Sequence, residues 1–370
     1  MPSPCWNWLR LRHFGAAMIK FSPRHLVNMK RALIIGGTRN LGPLLVSALL
    51  ESGYTVTAFN RGVTPATLPA EVERLYGDRS KIGVLAGALQ GREFDVIIDT
   101  TLYNGLDATR TIETLRGRTQ HYIFLSTGQV YLVRVGAERP FREDSYAGQV
   151  MPEPSKDDVN EYRNWLYGYD KRAAEDALSW AWRREQFPYT ALRLPMINSE
   201  ADHYDRIYGY LLRLWDGGPI LLPEGPGQSL QHVYGRDVVA AVMRLVTTRD
   251  GLGKAYNVGQ DESVLIDELL EMLAGLAGRP LQTVRLSRKL LDKYGLLPAC
   301  SPFSDSWMSA LDNTLGKQEL GLTYTPLRVY LEKLVAHYSA ARRRDIPGYK
   351  RRGVELQLAS EVGSQQQTGD

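Results

Sequence analysis

The sequence predicts an α/β protein in which a doubly wound parallel sheet carries a smaller C-terminal lobe. Three observations lead there. Apolar, β-branched runs of five or six residues alternate with helical periodicity through the first half of the chain. The first run leads directly into a glycine-rich turn and a helix. Beyond Pro195 the alternation stops, and longer helical patterns take over.

Residues 31–35 are the first predicted strand. A helix follows over 40–52, with Leu41, Leu44, Leu45, Ala48 and Leu49 on one side. Residues 54–59 alternate and are β-branched, as a second strand should be. Residues 94–99 (Phe-Asp-Val-Ile-Ile-Asp) and 121–125 (His-Tyr-Ile-Phe-Leu) are two more buried strands. Residues 205–216 read as a helix with Ile207, Leu211 and Leu214 on one face, broken by Gly217-Gly218-Pro219. Ser263 is the expected cap of a helix over 264–276. No repeat of domain-building length is present. The expected organisation is an N-terminal extension (1–28), a nucleotide-binding domain (29–195), a substrate lobe partly returning to the sheet (196–340) and a disordered tail (341–370) without apolar periodicity.

The composition is that of an ordinary globular enzyme, 44% hydrophobic and 23% charged. Cys5 and Cys300 offer no disulfide framework or zinc spacing, which suits a reducing compartment such as the cytoplasm. The net charge of +4 belongs to the ends: residues 1–31 hold six basic residues and no acid, and the body is mildly acidic. That argues against a nucleic-acid partner, because phosphate contacts need a basic surface. No run of roughly 18 apolar residues suggests a membrane span. The acid-free leader is expected to be unstructured, with Met29 opening the folded protein. The alternative is a transit segment, which would place the protein in an organelle stroma or matrix.

Gly36-Gly37-Thr38-Arg39-Asn40-Leu41-Gly42 joins the first strand to the first helix. Gly36 permits a tight turn, and Gly42 lets the helix lie close to the strand. The helix N-terminus offers free N–H groups and a positive dipole end to a pyrophosphate. An acid usually ends the second strand of such a site, where it binds the ribose 2′-hydroxyl. Here Asn60 stands near that place and Arg61 follows, a guanidinium suited to a 2′-phosphate. The expected cofactor is therefore NAD(P), leaning to NADP(H).

These residues resemble the NAD-dependent epimerase/dehydratase branch of the extended short-chain dehydrogenases, which use Gly-x-x-Gly-x-x-Gly on a Rossmann fold. Arg39 takes the middle glycine's place. The Gly-Gly-Thr-Arg-x-x-Gly form is similar to a subgroup of bacterial epimerase-like proteins and chloroplast stem-loop RNA-binding proteins. The resemblance covers about residues 30–338. Gly77-Asp78 resembles the family's Gly-Asp pair, implying an adenine contact for Asp78. Residues 125–131 resemble the family's Ser-Ser-x-x-Val-Tyr segment, and the register puts the catalytic hydroxyl on Thr127, just after Ser126. Tyr167 and Lys171 match Tyr-x-x-x-Lys, and four residues apart on a helix they share a face. Pro195, in Arg193-Leu194-Pro195, matches the strand end passing beside the nicotinamide.

The chemistry explains these residue types. Oxidising a secondary alcohol needs a hydride acceptor and a base for the hydroxyl proton. A free tyrosine, with pKa about 10, is a poor base at neutral pH unless nearby positive charge favours its anion. The resemblance gives that task to Lys171, which would also hold the nicotinamide ribose. Thr127 would bond the substrate oxygen, and in reverse Tyr167 is the acid. Tyr169 competes, but Ala173 stands where its lysine should be.

Departures from the family bear on the substrate. Gly128 and Gln129 stand where sugar 4,6-dehydratases place two acids, so that elimination is not expected. Leu230 and the region of Ser301 stand where nucleotide-sugar epimerases place diphosphate-binding arginines, and Arg236 is out of register. A nucleotide-sugar substrate is thus disfavoured. His203, Tyr204, Tyr208, Trp215, His232, Tyr234 and Trp307 are aromatic candidates for lining a ring site, and the six histidines show no metal-ligand spacing. Trp165, Leu178, Trp180 and Trp182 give the Tyr-x-x-x-Lys helix more apolar bulk than one face needs, so a homodimer is expected. The leading reading is an oxidoreductase or epimerase acting on a sugar-like or polyol small molecule. The runner-up is an RNA-binding protein on the same fold, and a third reading is a cofactor-binding redox sensor without turnover.

Overall fold

The computed structural model describes residues 30–225, 227, 229–340 and 345–367, with side chains in the last helix described as far as residue 362. The expected leader, residues 1–28, lies outside the described residues.

The first half alternates as follows: β1 (Arg31–Ile35), α1 (Leu41–Glu51), β2 (Thr55–Asn60), β3 (Glu73–Tyr76), α2 (Val84–Ala88), β4 (Phe94–Asp99), α3 (Gly105–Leu115), β5 (Thr119–Thr127), α4 (Gln129–Leu132), α5 (Val159–Glu185) and β6 (Tyr189–Leu194). The second half holds β7 (Met196–Asn198), α6 (Arg206–Asp216), β8 (Ile220–Pro223), β9 (His232–Tyr234), α7 (Gly235–Thr248) and β10 (Lys254–Asn257). It continues with α8 (Ile266–Ala277), β11 (Thr283–Leu286), α9 (Arg288–Lys293), α10 (Thr314–Leu320), α11 (Leu327–Ala340) and α12 (Arg352–Gln367).

The main sheet runs β10-β6-β5-β4-β1-β2-β3, with every pair parallel. Helices cover both faces, so Ala32, Leu33 and Ile34 of β1 are all fully buried. This is why β1 and β4 read as continuous apolar runs rather than alternations. Leu45 and Leu49 of α1 and Val242 and Leu245 of α7 cover one face. Ile112 and Leu115 of α3 and Leu178 and Ala181 of α5 cover the other. The reversal of strand order between β1 and β4 opens a crevice at the strands' carboxyl ends. The lobe has its own core, with Ile207, Leu211, Leu270, Leu273, Leu331 and Leu334 among its buried residues.

Two expectations are corrected. Residues 345–367 do not form a disordered tail: α12 packs Leu358 and Ala359 against Leu221, Leu286 and Cys300. Arg213 Nε bonds Glu355 Oε2 at 2.8 Å, and both side chains are fully buried. Arg352 adds bonds to Asp216 at 2.7 and 2.8 Å. Much of this segment is held by ion pairs, so no apolar stripe announced it. Ser263 does not cap α8; the helix begins at Ile266, and Glu268 reaches back to accept from the Leu265 N–H at 2.7 Å.

Candidate active site

The loop from β1 to α1 turns through Gly36 (φ +103°) and Gly37 (φ +79°), left-handed conformations that disfavour a side chain. A Cβ on Gly36 would collide with the Thr100 hydroxyl, and one on Gly42 with the Gly37 backbone. The two glycines therefore make a cradle that only bare backbone fits. Thr38 and Arg39 face the cleft, and the Asn40 amide oxygen accepts from Ser199 Oγ at 2.7 Å. Leu41 is buried in the core, so its backbone alone serves the cleft. The cleft, about 570 Å³, runs from this loop across Asn60, Arg61 and Asp78 at one end to Thr127, Tyr167, Lys171 and Pro195 at the other. That volume is the size of a small-molecule site.

At the β2 end, Asn60 Oδ1 accepts from the Gly62 N–H at 2.9 Å and fixes the turn. Asn60 Nδ2 is buried and has no partner, leaving a donor to be satisfied. Asp78 accepts from the Ser80 hydroxyl and N–H at 2.8 and 3.0 Å, which hold its carboxyl below the usual range.

The sequence reading missed the neighbouring pair. Arg79 Nη1 bonds both oxygens of Asp99, at 2.8 and 2.6 Å, and the Tyr122 hydroxyl donates to Asp99 at 2.6 Å. Asp99 is fully buried, and a buried charge needs such partners. The pair ties the 77–80 turn to the end of β4. The available signal was a charge closing an otherwise apolar strand, Phe-Asp-Val-Ile-Ile-Asp.

At the other end, Thr127 closes β5, and Tyr167 and Lys171 face it from α5. Thr127 and Tyr167 line the same stretch of cleft, and the Thr127 hydroxyl accepts from the Gln129 N–H at 3.3 Å. Tyr167 keeps 38% of its surface exposed, yet crowding around its hydroxyl pushes it up to about 12. Burial is the main cause, Tyr103 and Tyr204 add to it, and Thr127 opposes it. Lys171 Nζ donates to the Leu102 and Leu125 carbonyls at 2.9 and 2.7 Å. Burial draws its pKa down to about 7, against the pull of Asp99 and Glu175. Ser126 is occupied: it donates to Glu175, which Arg193 clamps at 3.0 and 2.6 Å. Thr127 is thus the hydroxyl of that pair turned to the cleft. Tyr169 stacks on Trp165 at 4.8 Å and is not part of the cleft wall.

Of the lobe aromatics, His203 and Tyr204 line the cleft. Tyr208 and Tyr234 are buried in the lobe core. His232 is buried against Phe303, and burial lowers it to about 3. Trp307 donates to Glu161 at 3.1 Å, and Trp215 packs on Tyr208. Leu230 and Ser301 are buried, and Arg236 is paired with Glu200 at 3.1 Å. Gly128 fits against Ser309, and the Gln129 amide bonds Asn164 at 3.1 Å.

A parallel sheet with a glycine cradle at its switch point is the architecture of the dinucleotide-binding class of proteins. The model of the NAD dependent epimerase/dehydratase family matches residues 32–259, well over half of the chain, and the protein belongs to that family. It is similar to the chloroplast stem-loop binding protein of 41 kDa b of Arabidopsis thaliana, 24% identical over 268 residues. That match covers 68% of this chain but 64% of the plant protein, just under two thirds. It is also similar to 2'-dehydrokanamycin reductase of Streptomyces kanamyceticus, 22% identical over 69% of this chain and 68% of that one. The UDP-glucose 4-epimerase of Thermotoga maritima, solved with UDP-glucose, shares the fold with a TM-score of 0.68. It is 18% identical, and the match covers 85% of this chain and all of that one.

Proposed function

We propose that this protein is an NAD(P)-dependent oxidoreductase or epimerase acting by hydride transfer at a secondary alcohol or ketone of a sugar-like or polyol small molecule. The observation that carries the reading is a single cleft joining the glycine cradle to Thr127, Tyr167 and Lys171. The orphaned Asn60 amide and the bare Gly36–Gly42 backbone fit a dinucleotide, which Lys171 and Pro195 would meet at its nicotinamide end. When bound, a nicotinamide supplies or accepts the hydride. Tyr167, neutral at physiological pH, gives a proton to a substrate carbonyl oxygen or takes one from a hydroxyl, and Thr127 orients that oxygen. Lys171, anchored to two carbonyls, holds the strand ends and α5 in register around the reacting atoms.

The cofactor reading leans to NADP(H). Arg61 and Arg74 line a shallow basin of about 640 Å³ beside Asn60, two guanidinium groups suited to a 2′-phosphate. A reducing compartment, cytoplasm or organelle stroma, suits the buried, unpaired Cys300. Titrating NADPH and NADH against protein fluorescence tests the reading. Saturable binding is expected, with Arg61→Ala eroding the preference for NADPH. A folded protein that binds neither cofactor overturns the assignment. The name of the Arabidopsis relative favours a second reading, RNA stem-loop binding. A gel-shift titration with a stem-loop RNA decides it, and no retardation at micromolar protein removes it.

A further inference from the structure

We propose that Tyr103 and Tyr204 are substrate-binding residues that, with Tyr167, grip an uncharged hydroxylated ring bearing no nucleotide. This deepens the nicotinamide-enzyme reading and rests on it, because Tyr167 is taken as the reacting end.

Tyr103 follows β4 and Tyr204 precedes α6, so they reach the cleft from the sheet and from the lobe. They are 52% and 66% exposed, whereas Tyr208, Tyr210 and Tyr234 of the lobe are buried. Exposed aromatic faces in a concave wall are apolar area awaiting a partner. Both rings are braced. The Tyr204 N–H donates to Asp202 Oδ1 at 3.2 Å, and its ring lies 3.9 Å from that of His203. The Arg206 guanidinium lies 5.3 Å from the Tyr204 ring and is itself tied to Asp202 at 2.9 Å. Lys171 Nζ sits 5.6 Å from the Tyr103 ring. The grip is thus largely ordered before a ligand arrives, which lowers the entropic cost of binding.

The three phenols line one cleft, and Thr127 adds a fourth hydroxyl to the same wall. Phenols both donate and accept, as sugar and cyclitol hydroxyls require, and their ring faces suit the C–H face of such a ring. The charged groups around this end of the cleft are tied to the protein or lie on its cofactor side. Lys171 is tied to two carbonyls, and burial favours neutral His203. Arg39 and Arg61 bear on Tyr103, and Arg39 also on His203, but they do so from the phosphate loop and the end of β2, where a cofactor's phosphates would engage them. Nor is a nucleotide diphosphate provided for. Leu230 and Ser301 are buried, and the nearby Arg206 and Arg236 are paired with Asp202 and Glu200.

Saturation-transfer NMR on the full chain with excess NADPH tests this, using methyl glucopyranoside, myo-inositol and UDP-glucose as probes. Ring protons of at least one neutral probe should receive saturation, and the uridine of UDP-glucose should receive none. Tyr103→Ala and Tyr204→Ala remove exposed side chains and should weaken that binding by about tenfold each. NADPH affinity, read separately by fluorescence, should stay within about twofold, a change worth less than half a kcal/mol. Tyr204→Phe should keep part of the binding, since it retains the face and loses the hydroxyl. Saturation of the uridine, silence from both neutral rings, or loss of NADPH rather than ring binding in Tyr204→Ala would each overturn the proposal. Failure of the nicotinamide reading is distinguishable, because it shows as absent cofactor binding in the unaltered protein before any probe is added.

Discussion

Tyr167 meets the cleft as a neutral phenol, poised first as an acid, and its burial makes the anion costly until positive charge arrives beside it. Tyr167→Phe should cut turnover roughly 100- to 10,000-fold, the usual range for a general acid, with cofactor affinity unchanged. The measurement is absorbance of the reduced cofactor during ketone reduction, and near-normal turnover would exclude Tyr167. Lys171 predicts a pH dependence. Its folded pKa, about 7, lies below its ordinary 10.5, so between these values the unfolded chain binds the extra proton. Stability should therefore rise with pH across that window, and thermal melting of Lys171→Met should show a flatter rise. Thr127, Tyr167 and Lys171 were legible because each lies in a local motif of fixed spacing. Arg79 and Asp99 were not, because they stand 20 residues apart and meet only through the sheet.

Among the elements, α12 carries the least expected contribution. Its Glu355 neutralises Arg213 of α6 inside the lobe, and both side chains are shut off from solvent. Glu355→Ala leaves that guanidinium buried without its carboxylate, at a cost of roughly 3–5 kcal/mol. Urea unfolding measures it, and a loss below about 0.5 kcal/mol, typical of a surface change, would make α12 peripheral. The inner strands and α1 could be read from sequence because burial on two faces or one writes a clear apolar pattern. β3 could not: Glu73, Arg74, Leu75 and Tyr76 form a half-exposed edge strand with no such pattern. Nor could α12, whose attachment depends on partners more than a hundred residues away.

For the whole molecule, a homodimer through α3 and α5 stays our proposal, on a smaller apolar surface than the sequence suggested. Trp165 and Leu178 are consumed inside the subunit, and Trp182 is partly buried in the same core. Leu106, Tyr169 and Trp180 remain 61%, 44% and 52% exposed on these helices. Sedimentation at micromolar concentration should show a dimer, and Trp180→Glu should shift it toward monomer. A monomer alone in the unaltered protein would refute the assembly. The fold class followed from strand and helix rhythm, whereas the closing of the sheet by β10 depends on a strand of four residues, one of them Lys254.

That late strand also sets an order on biosynthesis. Thr190 to Arg193 pair with Lys254 to Asn257, so β6 has no outer neighbour while roughly sixty intervening residues are still being translated. During that interval a nascent chain displays an open row of backbone donors and acceptors beside an apolar strand, the kind of edge that recruits other chains. Chaperone demand should therefore peak before the ribosome has released residue 257. Fragments that stop short of Lys254 should aggregate, even though they contain the whole glycine cradle and all three of Thr127, Tyr167 and Lys171.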